Sequence, residues 1–331
     1  MEGSTLTEIY EILDQGTEVI KHEMNLAYLD ALAEMGEILF QGNSTHEFSQ
    51  STKRRLTDLL ESYKELTEVT KEELRKAFQL AVLKGMKAAT QAHHAMTPDA
   101  VSLFMGYLVN KVGRLNTDND TPVVMDPAVG SGNLLTAVMN QMASKAHGIG
   151  AEADETLLRL SYVNANLQKH SIDLFHQDSV ATPLVKNVDV ILSDLPIGFY
   201  PNDSIAEKYE LKAKTGHSYV HHLLIEQSIN HSKEGGFLFL LVPNFLFESE
   251  EAKELHKYIK KEAIIYSFLQ LPKTMFKNSQ WGKSILILRK KAEGIYEPRQ
   301  ALLAELPSFS NERALADMMS RISTWFDELK E

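Results

Sequence analysis

Val123-Val124-Met125-Asp126-Pro127-Ala128-Val129-Gly130-Ser131-Gly132-Asn133-Leu134-Leu135 is the stretch that decides the fold. A short apolar run ends in an acid, a Gly-Ser-Gly turn follows, and apolar residues then recur at helical spacing, which predicts strand, loop and helix start. Gly130 and Gly132 admit backbone angles closed to other residues and let a ligand approach the main chain. A dinucleotide loop carries glycines as G-x-G-x-x-G, whereas this one has only G-S-G after Asp-Pro. The loop therefore suits a cofactor without a pyrophosphate.

Beyond the loop, strand-like and helix-like segments alternate. Strands are expected at Val123 to Met125, His147 to Glu152, Leu174 to His176, Val188 to Leu192, Phe237 to Val242, Ile264 to Leu269 and Ser284 to Leu288. This alternation predicts an α/β fold with a doubly wound, mainly parallel seven-stranded sheet covered on both faces. Upstream the chain has no strand signal. Ile9, Leu13, Ile20, Leu26, Leu29, Leu32, Leu39, Leu56, Leu60 and Leu66 recur near helical spacing, and Thr70-Lys71-Glu72-Glu73 has the spacing of a capping box. The expected units are an N-terminal helical domain over residues 1–93, a sheet domain over 94–291, and a C-terminal helical tail over 292–331. At Met96-Thr97-Pro98-Asp99, Thr97 is placed to cap a further helix and Pro98 to start it.

In a doubly wound sheet, ligands sit beyond the carboxyl ends of the strands. Four successive strand ends carry acids: Asp126, Glu152, Asp178 and Asp194. Glu152 stands far enough past the glycine loop to accept from ribose hydroxyls. Asp178, in Gln177-Asp178-Ser179, is placed to accept from the amino group of an adenine, and Ser193-Asp194-Leu195-Pro196-Ile197-Gly198-Phe199-Tyr200 follows the next strand.

Composition sets limits. There is no cysteine, so disulfides and thiolate metal sites are excluded. No apolar run reaches membrane-spanning length, and the chain reads as cytoplasmic, with no membrane partner. A formal net charge of −11 disfavours unaided tight binding to a polyanion, while leaving room for a local basic face. Lys53-Arg54-Arg55 reads as a solvated helix face, and Lys273, Lys277, Lys283, Arg289 and Lys290, which could line one rim, read beside an acidic sheet as solubilising charges. His93-His94 and His217, His221 and His222 lack the spacing of a metal site, so no metal is expected; His94 is a candidate for shaping the cofactor mouth.

The stretch from Val124 to Leu135 resembles the Asp-Pro-Ala-Cys-Gly-Ser-Gly signature of class I S-adenosylmethionine-dependent methyltransferases, and more narrowly the N6-adenine DNA methyltransferases related to type I modification subunits. Met96-Thr97-Pro98 is similar to that family's Phe-Thr-Pro segment, and Asp194-Leu195-Pro196-Ile197 stands where the family has Asn/Asp-Pro-Pro-Tyr/Phe. The agreement runs from about His94 to Lys290; a helical N-terminal domain of this kind resembles the Gram-positive adenine-methylase-like group.

The resemblance implies a Rossmann-like fold, S-adenosyl-L-methionine as cofactor, and methyl transfer to the exocyclic amine of adenine in DNA. By the same resemblance Asp126, Pro127, Gly130, Gly132, Asn133 and Leu134 face the methionine moiety, and Thr97 binds its carboxylate end. Glu152 and Ala153 hold the ribose, and Asp178 and Ser179 the adenine. Asp194, with the carbonyl of Leu195, orients the acceptor amine in a catalytic loop continued by Pro196 and Ile197. Two departures stand out: Leu195 replaces a proline, and Ile197 replaces the aromatic residue that stacks on a flipped base, which leaves Phe199 or Tyr200 to provide the stacking face. DNA contact is assigned to a local surface or to a separate recognition subunit, since no added recognition domain is visible, and the helical domain to protein-protein or dimer contacts. Two further readings are an S-adenosylmethionine-binding interaction protein with weak or no catalysis, and a methyltransferase for a protein glutamine amide.

Overall fold

The structure, a computed structural model, describes residues 4–44, 46–88, 96–113, 121–276, 278 and 281–329. Four helices open the chain: α1 (Thr5–Met24), α2 (Tyr28–Gln41), α3 (Gln50–Glu65) and α4 (Lys71–Ala88). Gly42, at φ 79°, ends α2 in the left-handed region. The capping box forms at α4: Thr70 N donates to Glu73 Oε2 at 2.9 Å, and Glu73 N donates to Thr70 Oγ1 at 3.2 Å. Helix α5 (Asp99–Gly113) follows. Thr97 does not cap it; the Pro98 carbonyl accepts from the N–H groups of Val101 and Ser102, both at 3.0 Å.

The remaining elements are β1 (Val123–Asp126), α6 (Asn133–Gln141), β2 (His147–Glu152), α7 (Glu155–Leu167), β3 (Ile172–His176), β4 (Val188–Asp194), a single turn α8 (Asp203–Ala206), α9 (Val220–His231), β5 (Ser232–Pro243), α10 (Ala252–Glu262), β6 (Ala263–Gln270), β7 (Lys283–Lys290), β8 (Leu302–Glu305) and α11 (Glu312–Glu328). The strands form one sheet in the order β3-β2-β1-β4-β5-β7-β6-β8. Strand β7 runs antiparallel to both neighbours, and the other pairs are parallel. The central strands are apolar on both faces, as a doubly covered sheet requires: Val190, Leu192, Phe237, Phe239 and Leu241 pack one core, and Ile191, Leu238, Leu240 and Val242 the other.

The sheet has eight strands where the sequence predicts seven. The addition, β8, has only four residues in alternating half-buried and exposed positions, too short a run for periodicity to register. It pairs with β6, and α11 lies over α5, with Ile322 and Phe326 buried in the core under that face and Tyr107 Oη donating to the Met319 carbonyl at 2.9 Å. The residues after Lys291 thus complete one edge of the sheet domain.

The helical N-terminus shares its core with the sheet domain. Ile9, Leu13, Leu32 and Phe78 cluster with Leu157, Leu160, Val163 and Leu167 of α7. Arg159 on α7 reaches α2, where its Nη2 pairs with Glu34 at 2.7 Å and its Nε with Glu37 at 2.6 Å. Among the described residues no helix is long and apolar enough to cross a membrane.

Candidate active site

Strand order reverses at β1, which lies between β2 and β4, so a crevice opens beyond the carboxyl ends of these strands. The glycine loop occupies it. Gly130 and Gly132 sit at φ 54° and 77°, angles that strain any residue with a side chain, and a Cβ on Gly132 would meet Ser161 Oγ at 2.6 Å. Above Gly130 the space is open: among the described residues, its chain neighbours aside, no heavy atom lies within 4 Å of where a Cβ would lie.

The acids that the sequence singles out hold this loop. Glu152 accepts from Gly130 N through Oε2 and from Ala153 N and Asp154 N through Oε1, each at 2.9 Å. Asp126 is buried, and its Oδ1 accepts from Ala128 N at 3.0 Å and from Ser193 Oγ at 2.7 Å. Burial pushes its carboxyl up to about 7, against the pull of the Ser193 and Ala128 hydrogen bonds and with help from the nearby charges of Asp194 and Glu152. Ser179 Oγ donates to the Pro127 carbonyl at 2.6 Å, and the Ser179 carbonyl in turn accepts from Gln227. Leu134 lies in the core, so only its backbone stands near the loop.

Asn133 opens α6 directly after the loop. Its Oδ1 accepts from Arg75 Nη1 at 2.7 Å, while its Nδ2 is buried and has no partner among the described residues. Arg75 comes from α4 and is fully buried; its Nη2 also pairs with Glu72 and Asp99, both at 2.6 Å. Sequence reasoning misses this residue, because nothing local marks an arginine on a helical domain as a neighbour of a distant glycine loop.

Asp194 ends β4 with both carboxylate oxygens engaged. Thr97 Oγ1 donates to Oδ2 at 2.9 Å, and Lys283, the first residue of β7, forms an ion pair with Oδ1. The Thr97 hydroxyl, expected at a methionine carboxylate, thus donates to Asp194, and Lys283, expected to be a solubilising charge, pairs with an acid of the strand-end series. Lys277 and the His93-His94 pair lie outside the described residues.

The loop after Asp194 departs from the family pattern in an informative way. Leu195 N donates to the Leu241 carbonyl at 3.1 Å, extending the β4–β5 ladder by a bond that proline could not make. Pro196 is exposed, and Ile197 is 44% exposed. Tyr200 provides no stacking face, contrary to expectation: it is buried, and its hydroxyl donates to Asp178 Oδ2 at 2.6 Å. Asp178 also accepts from Val180 N at 2.9 Å, so both its oxygens shape the turn after β3. The ring that faces solvent is Phe199, 62% exposed and stacked on Tyr219 with centroids 4.9 Å apart. Tyr219 in turn contacts His221 and His222 at 5.1 and 5.2 Å. Burial lowers the two imidazoles to about 3 and about 4, which keeps them neutral. Among the described residues no group of three or more His, Cys, Asp or Glu side chains could hold a metal ion.

Known proteins place this geometry. Residues 7–86 match the family described as YtxK N-terminal helical domain, and residues 83–320 match the family described as N-6 DNA Methylase. The uncharacterized protein YtxK of Bacillus subtilis is 45% identical over the full length of both chains. A crystal structure from Listeria monocytogenes, provisionally described as a class I S-adenosylmethionine-dependent methyltransferase, is 38% identical and superimposes with a TM-score of 0.86 over 97% of this chain and 98% of its own. The type I restriction-modification methyltransferase subunit of Streptococcus thermophilus shares the fold at 15% identity, with a TM-score of 0.62 over 97% of this chain and 74% of its own. With a glycine loop, a strand-end acid series and matches of this extent, the chain belongs to the N-6 DNA methylase family and is a class I S-adenosylmethionine-dependent methyltransferase.

Proposed function

We propose that the chain transfers a methyl group to the exocyclic N6 amine of adenine in nucleic acid. The observation that carries this reading is Asp194, held at the end of β4 between Thr97 and Lys283 and near the buried Asp126, in a chain segment that continues to the exposed Phe199.

The residues of the loop suit the cofactor. Among the described residues Asn133 Nδ2 is a buried donor without a partner and Gly130 faces open space, so a nucleoside with a charged amino-acid tail has both a vacant donor and room against the main chain. Asp126 and the loop backbone would take the methionine part, and Glu152 and Ala153 the ribose. Asp178 and Ser179 would border the adenine. When bound, the cofactor supplies a methyl group on a sulfonium centre. Asp194 and the Leu195 carbonyl accept the hydrogens of the acceptor amine and so turn the nitrogen lone pair out of the amino plane. Positioning and charge placement then account for catalysis, with the proton leaving after the nitrogen becomes cationic. Phe199 replaces the missing aromatic of the loop as the face against which a flipped base stacks.

Sequence recognition is assigned to a partner or to a local basic surface. The exposed Lys53, Arg54 and Arg55 on α3 form one such patch, in a chain of net charge −11. The test is calorimetric titration with S-adenosylmethionine, followed on the same sample by labelled methyl transfer to genomic DNA free of adenine methylation. Binding with transfer, lost in Asp194→Ala, is the expected result. Binding without transfer to DNA, but with label in a cellular protein fraction, would move the acceptor to a glutamine amide. Binding with no transfer at all would make the chain an interaction protein.

A further inference from the structure

We infer that Lys283 is a specificity-determining residue of the acceptor site: with Asp194 it forms a donor–acceptor pair that reads an amino group together with the ring nitrogen N1 beside it. The inference rests on the adenine reading and adds which edge of the base is held, and by what.

The geometry is set by the sheet. On β5, Leu241 pairs with Asp194 of β4, and two residues on Pro243 pairs with Lys283 of β7, so the two side chains reach across the end of β5 toward each other. Their ion pair is neither surface nor core, with side chains 20% and 22% exposed. A carboxylate brings acceptor lone pairs only and an ammonium donors only. Among the described residues Asp194 is the sole hydrogen-bond partner of Lys283 Nζ, which leaves N–H donors unspent next to the group that orients the amine.

A lone carboxylate at this position recognises any amine. A carboxylate flanked by an ammonium instead favours an amine whose neighbouring atom accepts a hydrogen bond. Adenine presents this pattern on its Watson–Crick edge, with the N6 amino group as donor and N1 as acceptor, and a flipped base is read along that edge. The aromatic group lies on the same side of the site: Lys283 is close enough to His221 to depress its protonation, and His221 contacts Tyr219, on which Phe199 stacks. The edge-reading pair is thus linked to the exposed ring through the buried His221 and Tyr219. If Lys283 served only to balance a half-buried charge, its removal would cost stability without altering what the site recognises.

The experiment crosses the residue with the atom. Native protein, Lys283→Met and Lys283→Arg are assayed with S-adenosylmethionine on a short single-stranded oligodeoxynucleotide holding one adenine, and on the same strand with 1-deazaadenine or 7-deazaadenine in its place. Thermal melting checks that each variant is folded. The native protein is expected to lose roughly tenfold or more in kcat/KM on removal of N1, the size of a hydrogen bond to a charged donor, and little on removal of N7. Lys283→Met should be equally slow on the adenine and 1-deazaadenine strands, and Lys283→Arg should keep part of the preference. Because the effect is read as a difference between differences, the altered basicity of the deaza base cancels. The same loss on removal of N1 in Lys283→Met as in native protein, a dependence on N7 instead of N1, or faster transfer by Lys283→Met would each overturn the inference and leave the adenine reading standing. No transfer to any strand by native protein that binds S-adenosylmethionine would remove both.

Discussion

Around the glycine loop, three polar contacts come from neighbouring parallel strand ends: Glu152 at the end of β2 holds Gly130, Ser193 on β4 holds Asp126, and Ser179 after β3 holds Pro127. Around Asp194 they come from far apart in the chain, Thr97 from 97 residues upstream and Lys283 from 89 residues downstream, the latter on the antiparallel β7. Arg75 apart, the cofactor half is thus built from adjacent strand ends, whereas the acceptor half is assembled from residues far apart in the chain. That difference explains how a family loop can lose a proline and an aromatic at Leu195 and Ile197 while Asp126, Gly130 and Gly132 keep the family pattern.

The sharpest way to break this comparison is Asp194→Ala. If the halves are independent, methyl transfer falls on the order of 10²–10³-fold, the usual effect of removing a group that acts on the reacting atoms, while S-adenosylmethionine affinity by calorimetry stays within about threefold. A parallel collapse of affinity would show that the acid supports the cofactor half as well.

Arg75→Met probes the opposite connection, from the helical N-terminus into the cofactor half. It takes from Asp99 its ion-pair partner and leaves Glu72 with Lys76 and Asn140 alone, the two acids being about one-third exposed (35% and 33%), and it removes the partner of Asn133. A buried charge left unpaired costs several kcal/mol, and the partial exposure of both acids brings the expectation down to about 2–3 kcal/mol in chemical denaturation. S-adenosylmethionine affinity should weaken at temperatures where the variant is fully folded, because Asn133 loses its orientation. Loss of stability with unchanged affinity would confine Arg75 to packing.

These two residues also mark the limit of what the sequence discloses. The cofactor half was legible because its residues are contiguous or lie at the ends of strands whose apolar runs are plain, and the capping box at Thr70 to Glu73 was legible for the same local reason. Lys283 and Arg75 were not: each acts across a gap that only strand order and helix docking close, 89 residues in one case and 58 in the other. Strand β8 escaped because four residues do not establish a period. Phe199 and Tyr200 were indistinguishable because adjacent residues in an extended segment point opposite ways, and nothing local says which side is solvent.

A smaller effect tests the electrostatics of the cofactor half alone. The Asp126 carboxyl is raised from 3.8 to about 7 by burial, so in this range the native state binds more protons than the unfolded chain. Stability from this group is therefore fully present at low pH and is lost as pH rises toward and through about 7. Affinity for a cationic cofactor runs the other way, since the anion forms over the same range: between pH 6 and pH 8 it should rise by about tenfold. Asp126→Asn should flatten both slopes, measured by denaturation and by calorimetry across pH. A pH-independent affinity in the native protein would place the cofactor's positive charges elsewhere.

The smallest effect separates the two rings of the acceptor half. Phe199 already stacks on Tyr219 and stands 62% exposed, so its truncation removes a face without opening a cavity. Base stacking contributes about 1–3 kcal/mol, and the low end applies to so open a ring, which makes the expected rise in KM for an adenine-containing oligonucleotide about fivefold in Phe199→Ala. Tyr200→Phe leaves the fold of the loop but deletes the hydroxyl bond to Asp178, and it should leave KM for the oligonucleotide unchanged while loosening the turn after β3. Steady-state kinetics on the two variants side by side decides the matter: a larger KM effect from Tyr200→Phe than from Phe199→Ala would mean that the acceptor is held by the inner wall of the loop, and that the exposed ring belongs to a partner surface instead.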